Sequence, residues 1–170
     1  IGSVERGNTL SDTDPMEKAR GHSIDAAVAS IERNGFRIHL VDTPGYADFR
    51  GPALAAIDAA DTVAIVVNAA NGIEHGTRSM MAHAKERGLA RILIVNRIDA
   101  DGVELPALVD DLREEFGNEC LPLNLPASKG RSVRDAFFQT AGDTDFSSPG
   151  EAHQRIVDQV VEIDDEVMEH

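Results

Sequence analysis

The sequence predicts an α/β domain with a doubly wound, mostly parallel sheet and helices on both faces. Two continuous apolar runs, at 62–67 and 91–95, have the length and composition of buried parallel strands. Helix-forming segments at 52–60, 74–87 and 103–116 alternate with them. This alternation of strand and helix is typical of right-handed βαβ units, so the two strands are expected to run parallel.

The N-terminal part is expected to begin as a polar loop and to continue as a β-hairpin. Roughly the first 20 residues contain no apolar period. Asn34-Gly35 then separates two apolar segments, 24–31 and 36–41. Because an Asn-Gly pair favours the tight turn that joins antiparallel strands, the two segments are predicted to pair.

The predicted helices carry signals at their ends. Pro52 and Pro106 lie in the first turns of their helices, where the missing N–H of proline costs nothing. Gly88 follows the helix at 74–87 and is typical of a helix C-terminus.

The C-terminal part follows a different pattern. Residues 121–125 are predicted as a short strand, and residues 140–150 are linker-like. From Glu151 onward, apolar residues recur at spacings of four, three and four, which predicts an amphipathic helix. These residues are Ile156, Val160, Ile163 and Val167.

The composition favours a cytoplasmic protein. The single cysteine, Cys120, cannot form an internal disulfide and is expected in the core, without a nucleophilic role. The sequence contains no apolar run of membrane-spanning length and no signal-peptide pattern at its N-terminus. We therefore expect no membrane partner.

The charge is negative and unevenly distributed. A net charge of -14 argues against a surface that binds DNA, because phosphate contacts require Lys and Arg. Residues 1–100 carry 11 basic and 13 acidic groups, a net charge of -2, whereas residues 101–170 carry 5 and 17, a net charge of -12. The acidic part suits either basic protein partners or solvation alone.

A first polar stretch, Asp42-Thr43-Pro44-Gly45, directly follows the predicted strand 36–41. Open α/β sheets bind ligands at strand ends. Asp42 could hold a metal ion through water, and the backbone N–H of Gly45 could approach a phosphate. By itself this stretch is more typical of a simple turn than of a ligand site.

A second stretch, Asn96-Arg97-Ile98-Asp99, follows the predicted strand 91–95. The Asp99 carboxylate could accept hydrogen bonds from N1–H and the exocyclic amine of guanine, which adenine cannot supply. An unpaired buried acceptor costs ~1–3 kcal/mol, so an acid here would discriminate between bases. By itself the stretch is also typical of a helix cap.

A third stretch, Arg20-Gly21-His22-Ser23, precedes the first predicted strand. The Ser23 hydroxyl could coordinate Mg²⁺ together with phosphate oxygens, or it could simply cap a turn. A catalytic role for His22 is the less favoured interpretation.

Taken together, the three stretches resemble the motifs of the GTPase superfamily, because they occur in its order and at strand ends. DPMEK followed by RGHSI, at 14–18 and 20–24, resembles the first switch of translational GTPases. VDTPGYADF at 41–49 resembles their second switch, and IVNRID at 94–99 resembles their guanine motif. The chain is most similar to elongation factor G and its elongation-factor-G-like relatives.

This resemblance implies binding of GTP and GDP with Mg²⁺, and GTP hydrolysis on the ribosome coupled to translocation or a related step. Ser23 would ligate Mg²⁺, Asp42 would bind it through water, and the Gly45 amide would sense the γ-phosphate. The residues implied in nucleotide binding are Asp42, Thr43, Pro44, Gly45, Asn96, Arg97 and Asp99.

The resemblance also implies a division of the chain. Residues 1–138 would be a partial GTP-binding domain, from the first switch through the guanine motif. Residues 139–170 would begin the G′ insertion of elongation factor G, which is implicated in contacts with a ribosomal stalk protein. The acidic part of the chain would then have a partner.

The sequence departs from the family at three places. No G-x-x-x-x-G-K-[ST] phosphate-binding loop occurs, so the resemblance predicts a piece that lacks the first strand, this loop and the first helix, and is inactive by itself. Arg97 stands where Lys is usual, and Arg is not a like-for-like replacement. Tyr46 stands where elongation factor G has the His that positions the attacking water.

Two alternative functions remain open at this point. One is a GTP-responsive module that docks on the ribosome and hydrolyses little, which Tyr46 and Arg97 allow. The other is a ribosomal-protection GTPase that confers drug resistance, although that family is expected to keep His and Lys at these positions.

The missing first strand has a physical consequence. In the family it runs between the strands that match 36–41 and 62–67, so both would have unpaired edges, which are prone to pair with another chain. We expect direct pairing of these strands, strand exchange between copies, or a segment from elsewhere.

Overall fold

The computed structural model describes residues 15–20 and 22–163, and these form an α/β structure. The helices are α1 Pro15–Arg20, α2 Arg50–Asp58, α3 His75–Glu86, α4 Leu105–Phe116 and α5 Pro149–Ile163, with a 3₁₀ turn at Ala47–Phe49. The strands are β1 Ala27–Arg33, β2 Phe36–Asp42, β3 Thr62–Asn68, β4 Ala90–Asn96, β5 Asn124–Ala127 and β6 Ser132–Asp135.

In the described residues the strands form three two-stranded sheets. β1–β2 and β5–β6 are antiparallel, and β3–β4 is parallel and joined by α3. The predicted α/β class is confirmed. By its internal contacts the chain divides into two compact units, Ile1–Ala64 with Arg78–Ile92, and Ile65–Thr77 with Leu93–His170.

The predicted hairpin is confirmed, with β1 beginning at Ala27 instead of residue 24. Asn34 and Gly35 have φ of 51° and 81°, as a type I′ turn requires at both central positions. Every residue of β2 is exposed, and the Phe36 side chain at its start is 73% exposed.

The expectation that β3 and β4 are buried on both faces is wrong. In β3, Val63, Ile65 and Val67 are buried, whereas Val66 between them is 59% exposed. The residues of β4 alternate between half-buried and exposed. A run of apolar residues has the same hydropathy on both faces, so the sequence does not indicate that only one face is covered.

The second unit has two apolar clusters. One is built on α4, where Leu108 and Leu112 pack with Ala69, and half-buried Leu93 and Val95 of β4 lie against them. The other joins Leu125 of β5 to Ala136 and to Ala152 of α5.

The N-terminal prediction needs one correction. Residues 15–20, predicted as part of a polar loop, form the short helix α1, and Glu17 in it is only 5% exposed. The rest of that predicted loop, residues 1–14, lies outside the described residues. The helix supplies a buried carboxylate, which hydropathy alone does not predict.

The C-terminal part also differs from its prediction. The short strand lies at Asn124–Ala127 instead of 121–125, and its partner β6 was not predicted. β6 has the sequence Ser-Val-Arg-Asp, in which a single apolar residue gives no strand pattern.

The amphipathic helix is confirmed as α5 and begins two residues earlier than predicted. Ser148 caps it, because its hydroxyl oxygen accepts a hydrogen bond from the N–H of Glu151 at 3.1 Å. Ile156 is buried on this helix and Val160 is exposed, while predicted Val167 lies outside the described residues.

One of the three expectations for the strand edges is wrong. β2 and β3 lie in different sheets, so they do not pair with each other within the part of the chain that the structure describes. Each instead pairs on one edge with a strand next to it in the sequence, β2 with β1 and β3 with β4.

Among the described residues, none of the helices has the length and hydropathy needed to cross a membrane.

Candidate functional site

The register of the β1–β2 hairpin brings two predicted site segments together. Ala27 pairs with Asp42, so the start of β1 lies beside the end of β2. The segment 22–25, which leads into β1, therefore emerges at the same end of the hairpin as the segment 43–46, which leaves β2. A direct contact shows this, because the rings of His22 and Tyr46 lie 4.5 Å apart.

Glu17 of α1 anchors the first of these segments. Its carboxylate oxygen Oε1 accepts hydrogen bonds from the backbone N–H of Ile24 at 2.8 Å and of Asp25 at 3.1 Å. Ser23, the predicted Mg²⁺ ligand, directly precedes these two anchored amides and is half-buried. Sequence reasoning missed Glu17, since its partners lie seven and eight residues away and depend on the fold.

The second segment carries Asp42 to Tyr46. Asp42 is exposed as the last residue of β2, Thr43 is half-buried, and Pro44 is buried. Gly45 is exposed, and a Cβ atom built on it would meet no atom within 4 Å. Packing within the described residues does not require glycine at 45, whereas close approach of a ligand to the backbone would.

The donor types in this part of the site suit Mg²⁺. Ser23 offers a hydroxyl and Asp42 a carboxylate, and Mg²⁺ prefers hard oxygen ligands. It commonly takes one or two protein ligands and completes its shell with water and phosphate oxygens. Within 15–20 and 22–163, no group of three or more His, Cys, Asp or Glu residues is placed to hold a metal ion.

The predicted guanine motif lies in the second compact unit, at the end of β4. Asn96 accepts a hydrogen bond from the backbone N–H of Arg97 through its side-chain Oδ1 at 2.9 Å, and its main-chain oxygen accepts one from Ala69 at 2.9 Å. Arg97 has a φ of 57°, so the chain turns sharply at the strand end. Asp99 is exposed and available to a ligand.

A loop that sequence reasoning missed lies against this motif. Ser128, Lys129 and Gly130 all have positive φ, between 58° and 72°. A Cβ built on Gly130 would lie 2.3 Å from the main-chain oxygen of Ile98, so only glycine fits at this position. The structure therefore brings loop 128–130 next to the backbone of Ile98 and Asp99. The sequence gives one signal for this loop, namely Gly130, a typical turn residue, after a short strand.

Asp145 holds this loop in place. Its two carboxylate oxygens accept hydrogen bonds from the N–H groups of Lys129 at 2.9 Å and Gly130 at 2.8 Å. Its own N–H donates to the oxygen of Pro126 at 2.8 Å. The segment predicted as linker-like is thus bonded to the β5–β6 hairpin.

The predicted site residues form two groups. Ser23 and the residues from Asp42 to Tyr46 lie at one end of the β1–β2 hairpin in the first unit. Asn96, Arg97 and Asp99 lie in the second unit with loop 128–130. Their roles toward a nucleotide stay predictions.

Comparison with known proteins gives consistent matches. The sequence matches the model of the elongation factor Tu GTP binding domain over residues 1–167. It is 35% identical to an elongation factor G-like protein of Mycobacterium tuberculosis over 129 residues, 76% of this chain and 18% of that protein. It is 31% identical to peptide chain release factor 3 of Lactobacillus delbrueckii subsp. bulgaricus over 158 residues, 92% of this chain and 30% of that protein.

A solved structure also matches this chain. A crystal structure of a protein from Thermus thermophilus matches with a TM-score of 0.82 and 30% identity, and covers 99% of this chain and 28% of that one. The chain thus spans less than a third of the length of these relatives.

The anchoring by Glu17 predicts that removal of its carboxylate lowers the stability of the fold. In Glu17→Ala the amides of Ile24 and Asp25 lose a buried acceptor, so we expect unfolding to become easier by about 1–3 kcal/mol. Amide hydrogen exchange at these two positions should accelerate. Urea unfolding and exchange measured by NMR check both expectations.

The matched control is Glu32→Ala on β1, where the exposed side chain forms an ion pair with Arg37. Exposed ion pairs contribute little, so this variant should unfold like the wild type. Equal stability and equal exchange in the two variants would contradict the anchoring role.

Proposed function

This chain belongs to the family of the elongation factor Tu GTP binding domain, a family of translational GTPases, and from that premise we propose that its whole protein binds GTP and GDP with Mg²⁺ and hydrolyses GTP on the ribosome. Hydrolysis would be coupled to translocation or a related step of protein synthesis. The observation that supports this most is the meeting of the segments 22–25 and 42–46 at one end of the hairpin.

In this proposal, the residues at the hairpin end respond to the γ-phosphate. Ser23 ligates Mg²⁺ through its hydroxyl, and Asp42 binds the ion through water. Thr43 and Pro44 shape the turn, and the open space beside Gly45 lets its N–H approach a phosphate oxygen. Bound Mg²⁺ supplies charge neutralisation of the phosphates.

The guanine base is proposed to bind at the end of β4. The Asp99 carboxylate accepts from N1–H and the exocyclic amine of guanine, and Asn96 holds the turn through its bond to the N–H of Arg97. The Arg97 stem packs on the base. Support comes from the exposure of Asp99 and from loop 128–130, which lies against the same backbone.

Hydrolysis requires a positioned water molecule, and we propose that Tyr46 positions it. Its side chain is 59% exposed, so the hydroxyl can hydrogen-bond a water. A phenol oxygen is a far weaker base than an imidazole nitrogen, so it does not take up the proton of the attacking water as imidazole does. Because positioning and charge stabilisation dominate phosphoryl transfer, we expect turnover to be slower but not abolished.

Tyr46 also favours a second candidate function. A protein that binds GTP, docks on the ribosome and hydrolyses little would act as a GTP-responsive binding module. The rate of ribosome-stimulated hydrolysis separates the two functions, because a module of this kind would show binding with little turnover.

Three further proposals concern the domains, the partners and the activity of the 170-residue chain by itself. Residues 1–138 are proposed as a partial GTP-binding domain and 139–170 as the start of a G′ insertion. The acidic charge of the second part suits contact with a ribosomal stalk protein, whose docking surface would need to be basic. The 170-residue chain without a phosphate-binding loop is proposed to be inactive by itself.

Guanine recognition is tested by Asp99→Asn in the whole protein. The amide can no longer accept both guanine hydrogen bonds, so we expect the affinity for GDP to fall by about 5- to 150-fold. Affinity for xanthosine diphosphate should rise, because its 2-oxo group accepts from the new amide. Calorimetry measures both. Asp101→Asn, at an exposed position two residues away, is the control and should bind GDP normally.

Turnover is tested by Tyr46→His. Imidazole can both position the water and take up its proton, so ribosome-stimulated hydrolysis should rise by about tenfold or more, given that acid–base groups contribute ~10²–10⁴-fold. Phosphate release under multiple turnover is the measurement. An unchanged or lower rate would count against the role of position 46.

We expect self-pairing of the isolated chain through the edge of β2 that no other strand covers within the described residues. β2 contains no proline and all of its residues are exposed, so a second copy can add to it. Light scattering coupled to size exclusion should show a concentration-dependent dimer that Leu40→Lys weakens. A monomer at every concentration would exclude it.

A further inference from the structure

Three aromatic rings meet at the end of the β1–β2 hairpin. The rings of His22 and Tyr46 lie 4.5 Å apart with their planes at 47°, and the rings of His22 and Phe49 lie 6.1 Å apart at 39°. Both separations lie within the range of about 4.5–7 Å at which aromatic rings form favourable pairs. The imidazole therefore lies beside the phenol and limits the directions that the Tyr46 side chain can take.

The orientation of the His22 ring is itself fixed. Nδ1 lies 3.2 Å from the main-chain oxygen of Ser23, and a carbonyl oxygen can only accept. Nδ1 therefore carries the hydrogen and donates it. The His22 ring, which contacts Tyr46, is thus hydrogen-bonded to the backbone of Ser23, the predicted Mg²⁺ ligand.

Both segments that carry these rings are held at a second point. The backbone that follows Ser23 is anchored by the buried carboxylate of Glu17, which accepts from Ile24 and Asp25. On the other side, the N–H of Phe49 donates to the oxygen of Tyr46 at 3.0 Å and closes the turn after the phenol. The contact therefore joins two restrained segments and not two free loops.

We propose that His22 is a positioning residue for GTP hydrolysis, because its ring holds the Tyr46 hydroxyl in place for the attacking water. It does so only while the backbone of Ser23 keeps the position seen in the structure. This inference rests on the function proposed above and deepens it. The imidazole acts through its contact with the phenol. A shift of the Ser23 backbone would move the His22 ring with it and release Tyr46, so the state of one segment is passed to the other.

The test compares two variants of the whole protein. His22→Ala removes the ring, and we expect kcat for ribosome-stimulated hydrolysis to fall by about three- to tenfold with an unchanged KM for GTP. His22→Phe keeps an aromatic ring against Tyr46 and should restore most of kcat. His39→Ala, at an exposed histidine of β2, is the control and should behave as the wild type.

The outcomes separate this inference from the proposed function. If the wild type turns over GTP and His22→Ala does so equally fast, the inference is wrong. If His22→Phe is as slow as His22→Ala, the ring contact is not what matters and the inference is again wrong. If the wild type shows no turnover at all, the proposed function fails.

A second measurement tests the contact without any turnover. Tyr46 is the single tyrosine of this chain, so its ring signals in NMR need no further assignment. Nuclear Overhauser contacts between the Tyr46 and His22 rings should appear in the 170-residue chain and disappear in His22→Ala. Their absence from the wild type would overturn the inference whatever the kinetics show.

Discussion

The register of the β1–β2 hairpin is the constraint on which the first half of the site depends. The type I′ turn at Asn34-Gly35 sets it, and the pairing of Ala27 with Asp42 at the far end follows from it. Because side chains alternate along a strand, a slip by one residue would turn every side chain of β2 to the opposite face. It would also shift the segment of Ser23 by one residue relative to that of Tyr46. A two-residue turn thus fixes the geometry of groups at the other end of the hairpin.

Hydrogen bonds from backbone amides to carboxylates hold the loops of both units. Glu17 accepts from two amides of the segment before β1, and Asp145 accepts from two amides of loop 128–130. Charged acceptors make stronger hydrogen bonds than neutral ones. In loop 128–130 these bonds offset the cost of positive φ at Ser128 and Lys129, which is unfavourable for residues with a side chain.

Most elements could be predicted from the sequence because their signals are local. Asn34-Gly35 specifies a turn by its own backbone preferences, and Gly88, with φ of 68°, ends α3 in the same way. The motifs at 42–45 and 96–99 were found because they follow apolar strands. Glu17 and Asp145 could not be found, since their partners are fixed by the fold. The exposed face of β3 was missed because Val66 is as apolar as its buried neighbours.

The composition gives the candidate site its own optical signal. The chain contains one tyrosine and no tryptophan, so its absorption and emission in the near ultraviolet come mainly from the phenol of Tyr46. That ring belongs to one of the two segments proposed to respond to the nucleotide and contacts His22 of the other. Changes of its emission in the unmodified chain therefore report events at this one position, without an attached dye. The same scarcity makes absorbance a weak measure of protein concentration, for which a peptide-based assay is the better choice.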